Sequence, residues 1–204
     1  IADIHYSAIR EYTPEGELLT EWGTYGPEPG NFIYPTDIAR HPDGRSYISE
    51  YGMDADRVQV FDAGKTFLFA FGKFGSGPGE FSRAMAIEVF GDLVYVCDTV
   101  NHRVQIFDLD GAFVRQVGQT GGDGHRMKYP YDAATLPDGG ILACEYGNNC
   151  VSHFDASGEF RGSYGGPGRG LGQFHGPRGV AVSAAGRVYV ADTENHRIQV
   201  FTWA

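Results

Sequence analysis

The stretch Asp98-Thr-Val-Asn-His-Arg103-Val-Gln-Ile-Phe107 is repeated almost unchanged as Asp192-Thr-Glu-Asn-His-Arg197-Ile-Gln-Val-Phe201. A looser copy runs from Glu50 to Phe61, and a degraded copy, Glu145-Tyr-Gly-Asn-Asn-Cys150-Val-Ser-His-Phe154, lies between the two close ones. The glycines that close successive repeats recur at intervals of 49, 46 and 47 residues: Gly23, Gly72, Gly118 and Gly165. Four-stranded propeller blades repeat every ~40–50 residues, so this period predicts blades rather than helical pairs.

Within each repeat, short apolar runs alternate with turn residues. In residues 78–118 the runs are Ala84–Val89, Leu93–Cys97, Arg103–Phe107 and Ala112–Val117. Glycine-containing turns separate the first run from the second and the third from the fourth, which is typical of β-hairpins. Because no run follows a helical period, each repeat is predicted to form a four-stranded antiparallel sheet.

The repeats continue along the chain without a change in composition, which predicts a single all-β propeller domain over residues 1–204. Complete blades are predicted at 24–72, 73–118 and 119–165, and partial blades at 1–23 and 166–204. We interpret this pattern as a portion of a larger propeller, whose open blade edges invite self-association by strand pairing. Alternatively, the strand near Glu17–Trp22 completes the last blade and closes a propeller of about four blades.

The composition argues against nucleic-acid binding and against membrane insertion. The formal net charge is −10 and no cluster of Lys or Arg is present, so the chain repels phosphate backbones. No apolar run approaches the roughly 18 residues needed to span a membrane. The three cysteines, Cys97, Cys144 and Cys150, have no metal-binding spacing and are interpreted as small core residues. We therefore predict no metal and no cofactor.

The triplets Asn101-His102-Arg103 and Asn195-His196-Arg197 lie between the second and third predicted strands of their repeats. With these triplets in this setting, the chain resembles the NHL-repeat β-propeller family over essentially its whole length. The resemblance implies closure with about six blades. It also implies a non-catalytic scaffold that presents one face to a protein, a peptide or another ligand. Relatives in tripartite-motif proteins bind RNA on a basic face, which the acidic composition disfavours here.

An acidic residue at the end of each second strand precedes the third strand. We predict that it forms an ion pair with an arginine and so ties the two strands together: Glu50 with Arg57, Asp98 with Arg103, and Asp192 with Arg197. The third complete repeat keeps Glu145 but has Cys150 in place of the arginine. Glu145 either lacks a partner, which would raise its pKa and make it a functional candidate, or is satisfied by Asn148 or Asn149.

Non-repeating polar residues at the channel mouth of the predicted propeller are the best binding candidates, because a repeated residue more often builds the fold. The channel mouth lies where the first strands begin and the loops from the second strands converge. The predicted ligand-binding residues are Asp37, Tyr51, Tyr131, Asp132, Glu145, Tyr146 and Arg178.

Two enzymatic alternatives place a metal ion in the channel. Propellers similar to peptidylglycine amidating lyase bind zinc through histidines just after the blade-opening proline, whereas this chain has Thr36, Met85, Tyr131 and Arg178 at those positions. Lactonase-like propellers hold a divalent cation with oxygen ligands, and this chain offers carboxylates at Asp37, Glu50, Asp132 and Glu145. A metal-dependent hydrolase or lyase with an acidic channel site is therefore the alternative to a binding scaffold.

Overall fold

The computed structural model describes residues 1–53, 55–118 and 125–202. These residues form five antiparallel sheets, and their only helical element is a 3-10 turn at Thr193–Asn195. No helix in the described part of the chain has the length and apolar character needed to cross a membrane. The predicted all-β propeller fold is confirmed, with three four-stranded blades and two three-stranded ones.

Strands that are consecutive in the chain are hydrogen-bonded neighbours in every sheet. Sheet 1 contains β1 (Ala2–Asp3), β2 (Ala8–Tyr12) and β3 (Leu18–Trp22). Sheet 2 contains β4 (Tyr34–Arg40), β5 (Ser46–Tyr51), β6 (Arg57–Phe61) and β7 (Phe67–Phe71). Sheet 3 contains β8 (Ala84–Phe90), β9 (Leu93–Asp98), β10 (Arg103–Asp108) and β11 (Phe113–Val117). Sheet 4 contains β12 (Pro130–Thr135), β13 (Ile141–Glu145), β14 (Cys150–Phe154) and β15 (Phe160–Gly165). Sheet 5 contains β16 (Gly179–Val182), β17 (Arg187–Asp192) and β18 (Arg197–Thr202).

The chain divides into two compact units. Unit 1 comprises Ile1–Val96 and Phe107–Phe113, and unit 2 comprises Cys97–Ile106 and Val114–Ala204. The division runs through sheet 3 and does not coincide with a predicted blade boundary. The predicted start of the third complete blade, at residue 119, lies outside the described residues.

Aspartate side chains set the tight turns between third and fourth strands. Asp62 Oδ1 accepts a hydrogen bond from the Thr66 N–H at 2.8 Å, and Asp108 Oδ1 accepts one from the Ala112 N–H at 2.8 Å. Asp155 makes the same kind of contact in sheet 4. Because an aspartate side chain takes the place of a backbone acceptor in such turns, these residues hold the hairpins in register.

Alternating apolar residues give the sheets a face that packs on the next sheet along the chain. In unit 1, the fully buried Tyr47, Val58 and Val60 of sheet 2 pack against Phe81, Ala84, Ile87, Val94, Val96 and Phe107. In unit 2, Leu142 and Val151 of sheet 4 pack against Phe174, Val180, Val188 and Val190. The same strand positions thus form the core between sheets in both units.

In each of three passages between sheets, a phenylalanine ring packs against the glycine that closes the preceding repeat. Phe32, Phe81 and Phe174 are all fully buried. Each takes part in an isolated parallel bridge with a residue of its own passage: Tyr25 with Phe32, Phe74 with Phe81, and Pro167 with Phe174. The aromatic ring therefore anchors the passage from one sheet to the next.

The alternative in which residues 17–22 complete the last blade is wrong. β3 is paired with β2 in sheet 1, where Trp22 lies opposite Ile9 and Glu21 lies opposite Arg10. The Trp22 ring packs edge-on against Phe61 of sheet 2, with centroids 4.8 Å apart. Burial of this ring against its neighbouring sheet holds β3 in sheet 1, and sheet 5 has three strands among the described residues.

Candidate functional site

The acidic residue at the end of the second strand organises three of the blades. Arg57 Nε donates to Glu50 Oε1 at 2.7 Å, and Arg103 Nε donates to Asp98 Oδ2 at 2.7 Å. Arg197 Nε makes the same contact with Asp192 Oδ2 at 2.7 Å. In each blade a glutamine two residues after the arginine also donates to the acid: Gln59, Gln105 and Gln199. These contacts hold the second and third strands together within a blade.

The same acids also hold the passage that leads into their blade. Glu50 Oε2 accepts a hydrogen bond from the Ile33 N–H at 2.7 Å, and Asp192 Oδ1 accepts one from the His175 N–H at 2.7 Å. Burial disfavours the Asp192 carboxylate, but the bonds from His175, Asn195 and Arg197 together lower its pKa below the usual range. The repeated acids therefore have a structural role.

Glu145 has partners, so the hypothesis that it is unpaired is wrong. Its Oε1 lies 2.5 Å from His125 Nε2 and accepts a hydrogen bond from the Ser152 hydroxyl. Its Oε2 accepts bonds from Asn148 Nδ2 at 2.6 Å and from the Lys128 N–H at 2.8 Å. The side chain is fully buried, so these donors replace the water and the arginine that the carboxylate lacks.

Asn148, one of the two predicted partners of Glu145, bonds its carboxylate, whereas the other, Asn149, bonds the passage before sheet 5 instead. Asn149 Oδ1 accepts a hydrogen bond from the Gly176 N–H at 2.8 Å, which ties sheet 4 to the passage before sheet 5.

Beside Glu145, Cys150 is also buried. Desolvation, and next the negative charge of Glu145, raise the pKa of the Cys150 thiol to about 12.

The structure brings together three of the predicted ligand-binding residues. The rings of Tyr131 and Tyr146 lie with centroids 5.2 Å apart, and Arg178 Cζ lies 5.4 Å and 5.2 Å from those centroids. We call these three residues the Tyr146 cluster. Arg178 also faces Glu194 at 3.7 Å, and the Arg178 side chain is 47% exposed. The guanidinium is thus held by cation–π contacts and a weak ion pair while part of it remains in solvent.

A second cluster of the same composition surrounds Tyr51 in unit 1. The rings of Tyr34 and Tyr51 lie with centroids 5.6 Å apart, and Arg83 Cζ lies 4.9 Å from the Tyr51 centroid. We call these residues the Tyr51 cluster. Tyr51 and Tyr146 both follow the repeat acid directly, so each cluster is centred on the same position of its repeat. Tyr34 and Arg83, both exposed, complete this surface.

Asp37 and Asp132 bridge neighbouring sheets through backbone contacts. Asp37 accepts hydrogen bonds from the N–H groups of Ile38 at 2.8 Å and of Ile87, in the next sheet, at 3.0 Å. Asp132 accepts from the Val180 N–H at 2.8 Å, likewise in the next sheet. Burial raises the pKa of Asp37, and its two backbone N–H bonds oppose that rise. Both aspartates were predicted to bind ligand, and both carboxylates are engaged in holding first strands together.

Four residues at these sites are not predicted from the repeat pattern: Tyr34, Arg83, His125 and Glu194. A signal for His125 was present in the repeat. It lies two residues before Met127, and the corresponding residues before Phe32, Phe81 and Phe174 are all glycine: Gly30, Gly79 and Gly172. Tyr34 carries a weaker signal, because it directly precedes the blade-opening Pro35 just as Tyr129 precedes Pro130.

Comparison with known proteins gives one family and a widely used fold. The NHL repeat family model matches residues 174–201. Protein brain tumor of Drosophila melanogaster is 31% identical over 135 residues, which cover 64% of this chain and 12% of that protein. The chain therefore spans a small part of the length of this relative.

Two solved structures have similar folds. A chain of a nidogen–laminin complex aligns with a TM-score of 0.72 at 15% identity, covering 98% of this chain and 70% of that one. A streptogramin B lyase aligns with a TM-score of 0.66 at 16% identity, covering 98% of this chain and 63% of that one. At these identities the likeness shows the fold alone.

The matched repeat is one copy of a pattern that organises several sheets. Residues 174–201 include Asp192, Asn195, Arg197 and Gln199, which are joined by hydrogen bonds in sheet 5. The same residue types make the same bonds in sheet 3, between Asp98 and its partners. Because the family model matches one repeat, the chain carries further copies of that repeat and the fold is all-β, the chain is an NHL-repeat β-propeller protein.

Proposed function

We propose that this chain is a non-catalytic binding module that recognises a protein or peptide segment through the Tyr146 cluster. The observation that carries this proposal is the exposed Arg178 guanidinium, held over two tyrosine rings. Tyrosine and arginine are enriched among the residues that dominate binding energy at protein interfaces. Tyrosine rings offer a large contact area with few torsions to fix, so they lose little entropy when a partner binds.

The arrangement of charges around Arg178 suits a polypeptide partner. Glu194 neutralises part of the guanidinium charge, but at 3.7 Å and with both side chains over 40% exposed the pair is weak. An acidic side chain or a chain-terminal carboxylate of the partner is able to displace Glu194 and bind Arg178 in a bidentate manner. An aromatic side chain of the partner is able to stack on the tyrosines at the same time.

The alternative of an acidic catalytic site receives less support from the same contacts. Glu50 and Glu145 are fully buried and bonded within their own blades, while Asp37 and Asp132 accept backbone N–H groups from neighbouring sheets. Similar folds occur both in a lyase and in a nidogen–laminin complex, so the fold itself does not choose between the roles. The exposed tyrosine–arginine surface favours binding.

Peptide selection tests the binding role directly. Peptides selected from a random display library on the full chain should lose affinity for the double variant Tyr146→Ala, Arg178→Ala. We expect a loss of at least about 30-fold, which corresponds to the roughly 2 kcal/mol of a strong interface residue. Titration calorimetry with the selected peptides gives the two dissociation constants.

The matched control removes an exposed tyrosine and an exposed arginine outside both clusters, as Tyr25→Ala with Arg169→Ala. The control should bind the peptides like the unaltered chain. Peptides that bind the Tyr146→Ala, Arg178→Ala variant with unchanged affinity would show that the partner surface lies elsewhere.

We also propose that residues 1–204 form part of a larger propeller and that a further blade packs on sheet 5. The face of sheet 5 that corresponds to Val58 and Val60 of sheet 2 is open. Ile198 and Val200 on this face are 62% and 52% exposed, whereas Val58 and Val60 are fully buried against sheet 3. The equivalent Val151 of sheet 4 is fully buried in the core that sheet 4 forms with sheet 5.

This open face predicts that the chain of 204 residues self-associates. Sedimentation velocity over a concentration series should show association that the double variant Ile198→Lys, Val200→Lys abolishes, because two charges on the face oppose its burial. Val114→Lys, at a residue 50% exposed on β11, should leave the association unchanged. A chain that is monomeric at every concentration would count against an uncovered blade face.

A further inference from the structure

Sheet 4 departs from the repeat at three positions that lie close together in space. Other repeats have glycine two residues before the buried phenylalanine of the passage, whereas this repeat has His125 two residues before Met127. Where they have arginine and glutamine on the third strand, it has Cys150 and Ser152. The acid of the repeat is retained as Glu145, directly opposite Cys150 in the pairing of β13 with β14. The replaced residues thus change the chemistry around one retained carboxylate.

The two shorter side chains leave the room that His125 fills. In sheet 5, Gln199 Oε1 accepts a hydrogen bond from the Gly172 N–H, and in sheet 2 Gln59 does the same for Gly30. In sheet 4 the histidine side chain enters from that glycine position and reaches Glu145 itself. Its ring is stacked on Phe160, with centroids 4.9 Å apart and an interplanar angle of 14°. The stacking fixes the imidazole with Nε2 directed at the carboxylate.

Three potential metal ligands meet at this point. His125 Nε2, a carboxylate oxygen of Glu145 and Cys150 Sγ all lie within 4.8 Å of one another. Nitrogen, oxygen and thiolate sulfur are the ligands of zinc, at about 2.0–2.3 Å from the ion, so ligand atoms in a tetrahedral site lie about 3.5 Å apart. The three groups therefore need only small side-chain movements to surround an ion.

We propose that His125, Glu145 and Cys150 form a zinc-binding site inside sheet 4. A borderline-soft ion with mixed N, O and S ligands fits zinc better than magnesium or calcium, which prefer oxygen alone. The Ser152 hydroxyl, which already bonds Glu145 and lies 3.7 Å from Cys150 Sγ, borders the fourth coordination position. The proposal does not depend on the binding role of the Tyr146 cluster.

The surroundings of the site are built to hold its ligands. Asn148 Nδ2 and the Lys128 N–H both donate to Glu145 Oε2, which orients the carboxylate and leaves Oε1 directed at His125. Such contacts to a ligand fix its geometry and typically matter about 10–100-fold in metal affinity. The His125 side chain is 19% exposed while Glu145 is fully buried, so an ion enters from the histidine side.

Binding is an exchange of protons for a metal ion and needs no oxidant or reductant. The Cys150 thiol loses its proton to solvent and the resulting thiolate bonds the ion. The proton between His125 Nε2 and Glu145 Oε1 also passes to solvent, while the bound imidazole carries its remaining proton on Nδ1, and the two atoms separate from 2.5 Å to the spacing of neighbouring ligands. The divalent ion then replaces, for Glu145, the positive charge that arginine supplies in the other blades.

Cobalt substitution tests the site without any assay of activity. The full chain, freed of metal with a chelator, is titrated with Co²⁺ and then with Zn²⁺ while its absorption spectrum is recorded. We expect one Co²⁺ per chain, a thiolate-to-cobalt charge-transfer band, and loss of that band when Zn²⁺ displaces the cobalt. Cys150→Ser should remove the band and weaken Zn²⁺ binding by more than the ~100-fold typical of losing an outer contact.

Two further variants keep the test decisive. The first is Cys144→Ser, at a buried cysteine outside the proposed site. Sheet 2 has serine, Ser49, at the equivalent position, so this variant should fold and leave the band unchanged. The triple variant His125→Gly, Cys150→Arg, Ser152→Gln restores the glycine, arginine and glutamine of the other blades together, so it should fold and bind no cobalt. A chain that gives no charge-transfer band, or a band that persists in Cys150→Ser, would overturn the proposal and leave the His125–Glu145 contact as a purely structural bond.

Discussion

Replacing Arg103 by methionine should lower the free energy of unfolding by about 3–5 kcal/mol, the range found when one partner of a buried ion pair is removed. The Arg103 side chain is 2% exposed and that of Asp98 is fully buried, with Nε and Oδ2 2.7 Å apart. Methionine has a similar length and no charge, so the Asp98 carboxylate stays buried without its cationic partner. Urea unfolding followed by far-UV circular dichroism measures the loss.

The same ion pair in sheet 5 provides the control. Arg197 bonds Asp192 at the same 2.7 Å, but its side chain is 29% exposed. The Asp192 carboxylate is fully buried like that of Asp98, but the exposed edge of Arg197 brings solvent closer to this pair, so Arg197→Met should lower the free energy of unfolding less than Arg103→Met does. Equal losses for the two variants would mean that burial of the arginine does not decide the energy of this repeat contact.

Replacing Gly72 by alanine should be similarly damaging, for two separate physical reasons. Gly72 has a φ of +89°, where a residue with a Cβ atom is strained by about 1–2 kcal/mol. A Cβ at this position would also lie 2.3 Å from Phe81 Cε2. Phe81 is fully buried in the core of unit 1 and is unable to move away without disturbing its neighbours, which adds about 1–3 kcal/mol.

Gly16→Ala separates the two terms. Gly16 has a φ of +91°, but no atom of the described residues lies within 4 Å of a Cβ built there. The control should therefore lose only the strain term, about 1–2 kcal/mol. Thermal and urea unfolding of the two variants give the difference, and a Gly72→Ala variant no less stable than Gly16→Ala would show that the passage containing Phe81 yields easily.

The repeat pattern predicted much of what the structure contains, and its failures have specific causes. Tyr131, Tyr146 and Arg178 were placed at one end of the blades from repeat position alone, and they do lie together. The roles of Asp37 and Asp132 were not predictable, because their partners are backbone N–H groups of another sheet, which have no signature in the side-chain sequence.

The environment of Glu145 shows the same limit more sharply. The loss of the arginine at Cys150 was visible in the sequence, and it raised the question of a partner. The answer depends on His125, which is 20 positions away and reaches the carboxylate because the shorter Cys150 and Ser152 leave space for its ring. Side-chain volumes at neighbouring positions in space decide such a contact, and spacing along the chain does not report them.

The amino-acid sequence by itself determined the β architecture of this protein, since strand periodicity, glycine turns and the repeat interval are local properties of the chain. It also determined which acid meets which arginine within a blade, because both stand at fixed positions on adjacent strands. Only the tertiary structure decided the contacts between sheets. It holds β3 in sheet 1, gathers the tyrosine–arginine clusters and brings His125, Glu145 and Cys150 to one point, because these depend on packing between residues distant in the chain.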